Sequence, residues 1–197
     1  MSRLEWILGI LLGLLLLATL ILAFLVIRSR EAPPPPAAIG IQTARTAYTI
    51  AEPVAQTWAG DATLLTAMGS HTVVLNAPLV VSNWSLIFYS PARQATVLVS
   101  VVDEKATIVS TRENSPPRQP VSLDRWSVDS QDVIDQVLAT GGRDFILEDG
   151  ARTLSLLLDM DGQAVWKSSL AVTETGQTLS HWLDASDGEL LDIRQSE

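Results

Sequence analysis

Between residues 152 and 193 the chain is punctuated by Asp161-Gly162, Thr175-Gly176 and Asp187-Gly188. Glycine takes positive φ without steric cost, so each dipeptide signals a turn. The lengths around them, RTLSLLLDM, AVWKSSLAV, QTLSHWLDA and ELLDI, are short and rich in β-branched and aromatic residues. They read as strands of an antiparallel meander, with DFILE (144–148) as one more ahead of them. The preceding stretch, VDSQDVIDQVLATGG, has a different period. Asp129 or Ser130 can cap a helix, Val133, Ile134, Val137 and Leu138 share one face, and Gly141-Gly142 ends it. A helix followed by a meander makes this region α+β.

The same plan is written once before. In TIAEPVAQTWAG, Thr49 and Glu52 have capping-box spacing, Pro53 falls in the first turn, and Ala51, Val54, Ala55 and Trp58 share a face. DATLLTAMG, LVVSNWSLIFYS, QATVLVSVV and ATIVST then read as strands. One marker aligns the halves: Trp84 precedes Asp103 by 19 positions and Trp166 precedes Asp184 by 18. The expected units are 47–111 and 127–197, joined by a Pro-rich linker, 112–126, whose Trp126 is the candidate contact between them.

The second unit ends in Trp182, Leu183, Asp184 and Ala185, then Gly188, Glu189, Leu190 and Leu191. With a helix and Trp-bearing strands before it, this pattern resembles the PepSY-type module. Ser186-Asp187 departs from the more usual single Thr before the Gly, and the first half keeps Asp103 but lacks Gly-Glu. The resemblance implies a cystatin-like fold, a helix lying on a curved antiparallel sheet, twice over. It also implies a bacterial membrane-anchored protein acting outside the cell, of a kind in which some members inhibit or regulate peptidases.

The amino-terminal region fits an anchor. Residues 6–27 carry no charge and no proline, and those 22 residues span about 30 Å as a helix, the thickness of a bilayer core. A cleaved signal peptide has a shorter apolar core and a small-residue cleavage site, so an uncleaved transmembrane anchor over 1–30 is expected. The four prolines of 31–46 make an extended stalk. Arg3 on one side and Arg28 and Arg30 on the other leave the positive-inside count near a tie, leaning toward a cytoplasmic C-terminus. Single N-terminal anchors commonly export the domain attached to them, and a stalk suits the exterior, so 47–197 is read as extracytoplasmic. The fold expectation is therefore α+β: a transmembrane helix followed by two cystatin-like helix-on-sheet modules. A net charge of −9 repels phosphate backbones and argues against nucleic acid.

Chemistry is the remaining question. The absence of cysteine removes disulfides, thiolate metal sites and a cysteine nucleophile. No H-E-x-x-H, G-x-S-x-G, S-x-x-K or P-loop pattern occurs. The acidic run Asp184, Asp187, Glu189 is too short for a calcium loop and reads as a hairpin turn. Asp159 and Asp161 could hold a cation weakly but also read as a turn. Asp144, Glu148 and Asp149 read as a solvated loop, and His71 and His181 as isolated structural residues. Trp58, Trp84, Trp166 and Trp182 read as core. No catalytic, cofactor-binding or metal-binding residue is assigned, and no cofactor is expected. The expected function is a membrane-tethered, non-catalytic module binding an envelope protein, with a peptidase as one candidate. The alternative is a small-molecule or lipid carrier with an apolar cavity lined by Ile87, Phe88, Leu156 and Leu158.

Overall fold

The computed structural model describes residues 43–196 apart from 76, 80, 82 and 162. The apolar run 6–27, and the stalk as far as residue 42, lie outside the described residues. The first half comprises helix α1 (Ala44–Trp58) and strands β1 (Thr63–Thr72), β2 (Trp84–Ser90), β3 (Ala95–Val102) and β4 (Lys105–Arg112). After a single 3-10 turn at Leu123–Arg125 come helix α2 (Ser130–Val137), a π-type turn at Leu138–Gly142 and helix α3 (Arg143–Leu147). Strands β5 (Thr153–Asp161), β6 (Gln163–Ala171), β7 (Thr178–Asp184) and β8 (Leu190–Ser196) complete the chain.

All neighbouring strands are antiparallel, in the order β4-β3-β2-β1-β5-β6-β7-β8. Each half supplies a meander, and the meanders join where Ala67 faces Leu158 and Thr72 faces Thr153. This seam corrects the expectation of two cystatin-like helix-on-sheet modules. The eight strands form one sheet, and Ile39–Glu197 forms one compact unit. The cause is the edge: β1 and β5 would each leave a row of unpaired backbone groups on a separate four-stranded sheet, and pair instead. The transmembrane part of the expectation finds no support either. Among the described residues no helix is long and apolar enough to cross a membrane.

Strand alternation fixes which face is covered. Trp84, Leu86 and Phe88 of β2 point to one side, beside Val101, Val99 and Val97 of β3. The register carries that side through Gly69 and Ala67 to Leu156 and Leu158, then Trp166 and Leu183. These residues are buried beneath the helices. Helix α1 turns Ala44, Ala47, Ala51 and Ala55 inward, and Tyr48 stacks on Phe88 at 6.2 Å. Small residues at this spacing let the helix lie close to the sheet. Helix α2 buries Val133, Ile134 and Val137, and Trp166 Nε1 donates to Val128 O just before it at 2.9 Å. Gly69 is required at the seam: a Cβ there would stand 2.5 Å from Val81 Cγ1 and 2.9 Å from the Trp84 ring.

Two devices lock the halves together on the covered side. Trp126 makes edge contacts with Tyr48 of α1 at 6.0 Å and Trp166 of β6 at 6.2 Å, while Trp84 meets Trp166 at 6.4 Å. The helix N-termini also share a cap. Asp129 Oδ1 accepts from Ser130 N at 2.7 Å and from Arg45 N at 3.2 Å, and Ser130 Oγ accepts from Ala44 N at 3.0 Å.

Local readings also change. Helix α1 begins at Ala44 behind a Thr43 cap rather than at Thr49, so Pro53 stands inside the helix on its exposed side. DFILE is part of α3 instead of a strand, with Phe145 and Ile146 both buried. An alternating strand would have turned one of the pair away from the core. The edge strands β4 and β8 each carry a bulge, which leaves Val109 and Leu191 as the extra residues, 60% and 44% exposed. A bulge twists an edge and blunts pairing with another chain.

Candidate binding surface

Because α1 and α2 lie on one face, no helix among the described residues covers the other. Register places Ser85, Met68, Leu157, Lys167, Trp182 and Asp192 in one row across six strands of that open face. The next row is Ser70, Ser155, Ser169, Ser180 and Arg194, and the one beyond it Thr72, Thr153, Ala171, Thr178 and Ser196. Ile87 and Leu98 pair on the same face in the first half. Most of these side chains are half-buried or exposed. Short hydroxyls both donate and accept hydrogen bonds and lose little rotamer freedom when ordered.

Trp182 is the large aromatic of the middle row. The Arg194 guanidinium lies 4.9 Å from its ring centre, and Arg194 Nε donates to Asp192 Oδ2 at 2.7 Å. An aromatic–cation pair amid small hydroxyls is the composition of an adaptable protein-binding surface. Lys167 Nζ lies 3.9 Å from Asp159 Oδ2, so charge on this face is mixed.

The Pro-rich segment closes one end of the face. Ser115 N donates to Gln94 O at 2.8 Å and Val121 N to Leu64 O at 2.8 Å, with both residues buried. Between these ties the segment bounds a cleft of about 410 Å³ lined by Leu65, Thr66, Ile87, Arg118, Gln119, Leu157, Asp159 and Met160. At the same end, the Ser90 hydroxyl and Ala92 amide donate to Asp61 and hold its carboxyl below the usual range.

The acidic run is a turn. Asp184 Oδ1 accepts from the Ser186 hydroxyl at 2.6 Å and the Ser186 amide at 2.7 Å, which together hold its carboxyl below the usual range. Asp187 Oδ1 accepts from Glu189 N at 2.9 Å, and Gly188 takes φ 82°. Asp184 and Asp187 each spend a carboxylate oxygen on a backbone amide inside the turn, and the second Asp184 oxygen accepts from Gln163 Nε2 at 3.1 Å. Among the described residues no group of three or more carboxylates or imidazoles could hold a metal. Calcium is therefore expected to leave the melting temperature unchanged. Gly188→Val should destabilise by about 1 kcal/mol or more, because a β-branched residue resists positive φ. A calcium-dependent rise in melting temperature would contradict the turn.

The other candidates scatter. His71 on β1 and His181 on β7 are three strand spacings apart, about 14 Å, so they form no pair. Burial lowers the His71 pKa. His181 is fully buried, with Nε2 on Thr140 O at 3.1 Å and Nδ1 facing Ser168 Oγ at 3.5 Å. The carbonyl can only accept, so Nε2 carries the proton and the ring pins the turn after α2. Asp159 Oδ1 accepts from its neighbour's amide, Met160 N, at 2.8 Å. Asp144 lies in the first turn of α3, and Glu148 and Asp149 are exposed behind it. Phe88, Leu156 and Leu158 are packed core while Ile87 is on the opposite face, so the four line no common cavity. Trp84 and Trp166 are core and Trp58 is half-buried under Arg93, but Trp182 belongs to the open face. The alternation of Leu179, His181 and Leu183 on the covered side contained that signal.

Comparison with known proteins gives the fold a counterpart. No protein-family model and no curated protein matches the chain, so the PepSY-type resemblance rests on the residues quoted for it. Among solved structures the chain is similar to a crystal structure of a candidate lipoprotein from Clostridium difficile 630. The TM-score is 0.51 at 11% identity, over 81% of this chain and 98% of that one. At that identity the likeness is one of fold.

Proposed function

We propose that this protein is a non-catalytic binding module of the cell envelope that engages another protein through the open face of its sheet. The observation that carries the reading is the division of the sheet. One side is filled by α1 and α2, while the other presents Trp182, Arg194 and Met68 among rows of serine and threonine, with no covering helix among the described residues. Interface energy concentrates in Trp and Arg anchors set in a surface able to exclude water. Non-catalytic action is supported by how the polar groups are used. His181 pins a turn, and the carboxylates of Asp184 and Asp187 hold backbone amides.

A fold shared with a candidate lipoprotein favours a membrane-associated place in the envelope. With no cysteine among the 197 residues, no thiol-linked lipid can attach within them. The apolar run 6–27 is the part that would associate with the membrane, with the sheet domain on the outer side. The test is partner capture from native membranes. Trp182→Ala should weaken it on the order of 30-fold, the loss of one hot spot of about 2 kcal/mol. Unchanged capture by this variant would count against the open face.

A further inference from the structure

We propose that the cleft between the Pro-rich segment and the open face binds the carboxyl-terminal end of a peptide. Arg118 would take the terminal carboxylate, and Leu65, Ile87, Leu157 and Met160 an apolar terminal side chain. The inference rests on the open face being the binding surface, and it names which part of a partner enters the cleft.

Four observations converge. The cleft, about 410 Å³, is of a size for a small ligand or a short chain end, sites for which run from about 300 to 1,000 Å³. Its outer wall is pre-formed, because Ser115 and Val121 are buried and hydrogen-bonded at either end of the segment carrying Arg118 and Gln119. Its floor includes the bulge of β1, where the register shift between Leu64 and Thr66 leaves Leu65 as an extra residue.

Charge supplies the fourth. Among the described residues Arg118 has neither an ion pair nor a hydrogen bond. A guanidinium beside an apolar floor matches a carboxylate on an apolar body, through two parallel hydrogen bonds. The polar lining selects a peptide over an alkyl acid. Gln119 can pair with a backbone N–H and C=O, which a hydrocarbon tail does not offer.

The experiment is calorimetric titration of the full chain in detergent micelles with N-acetyl-Leu-Leu. Its carboxyl amide and hexanoate serve as the other probes. The expected result is binding of the free acid, weakened about tenfold or more in the amide, in hexanoate and in Arg118→Ala, with Gln56→Ala on α1 unchanged. Arg118 is exposed, so its variant should keep the parent melting temperature. Equal binding of acid and amide, equal binding of hexanoate, no effect of Arg118→Ala, or no binding would each overturn the assignment. Crosslinking of a partner from position 182 is read in parallel. If it persists while the dipeptide fails to bind, the peptide site alone is lost; failure of both removes the open-face reading with it.

Discussion

Trp126→Ala is expected to cost the fold about 3–5 kcal/mol, the range for deleting a large buried aromatic. Typical domains hold only about 5–15 kcal/mol in total, so this variant should be close to unfolding at 37 °C. Trp126 is 2% exposed and lies between Tyr48 on α1 and Trp166 on β6, so its loss opens a cavity where the halves meet. A second substitution separates packing from polarity. Trp126 Nε1 is buried with no hydrogen-bond partner among the described residues, and an unpaired buried donor costs about 1–3 kcal/mol. Trp126→Phe gives up some packing but removes that cost, so it should lose about 1 kcal/mol or less. Urea unfolding of both variants checks the pair. A loss below about 1 kcal/mol for the alanine would mean the β1–β5 seam holds the halves without the ring.

Asp129→Ala should be the next most costly, at about 2 kcal/mol, where an ordinary N-cap is worth about 1. The excess follows from geometry. One carboxylate oxygen accepts from the first turn of α2 and, across 84 residues of chain, from the first turn of α1. Both helices turn their positive ends toward it. Asp129→Asn keeps the acceptor and loses the charge, so it should recover more than half of the deficit. If Asn and Ala are equally damaging, charge rather than hydrogen bonding carries the junction.

Much of this architecture can be read from the sequence. Turn dipeptides and β-branched runs point to all eight strands, though they start β2 five residues early and add a ninth run, DFILE, that is helical. Trp126 stands out as an aromatic in an otherwise polar, Pro-rich stretch. What the sequence does not display is that β1 and β5 pair. Edge pairing depends on two strands with complementary faces meeting in space, and nothing in either strand marks its neighbour. Gly69, set between Ala67 and Leu156 on the covered face, is explicable only once Trp84 and Val81 lie over it. Trp182 shows the opposite failure. Its bulk suggests core, but two-residue alternation with His181 and Leu183 assigns it to the other face. The cleft at Arg118 could not be read at all, because its wall is a segment without regular structure held by backbone hydrogen bonds from Ser115 and Val121.

The division of the sheet into a covered and a working face is tested most directly by site-specific photocrosslinking in intact cells. The photoreactive residue would replace Trp182, Leu98 or Ser155 on the open face, or Gln56 or Asp135 on the outer surfaces of α1 and α2. A discrete crosslinked protein is expected from the open-face positions and none from the helix positions. Crosslinks confined to Gln56 or Asp135, with the open face silent, would contradict that division.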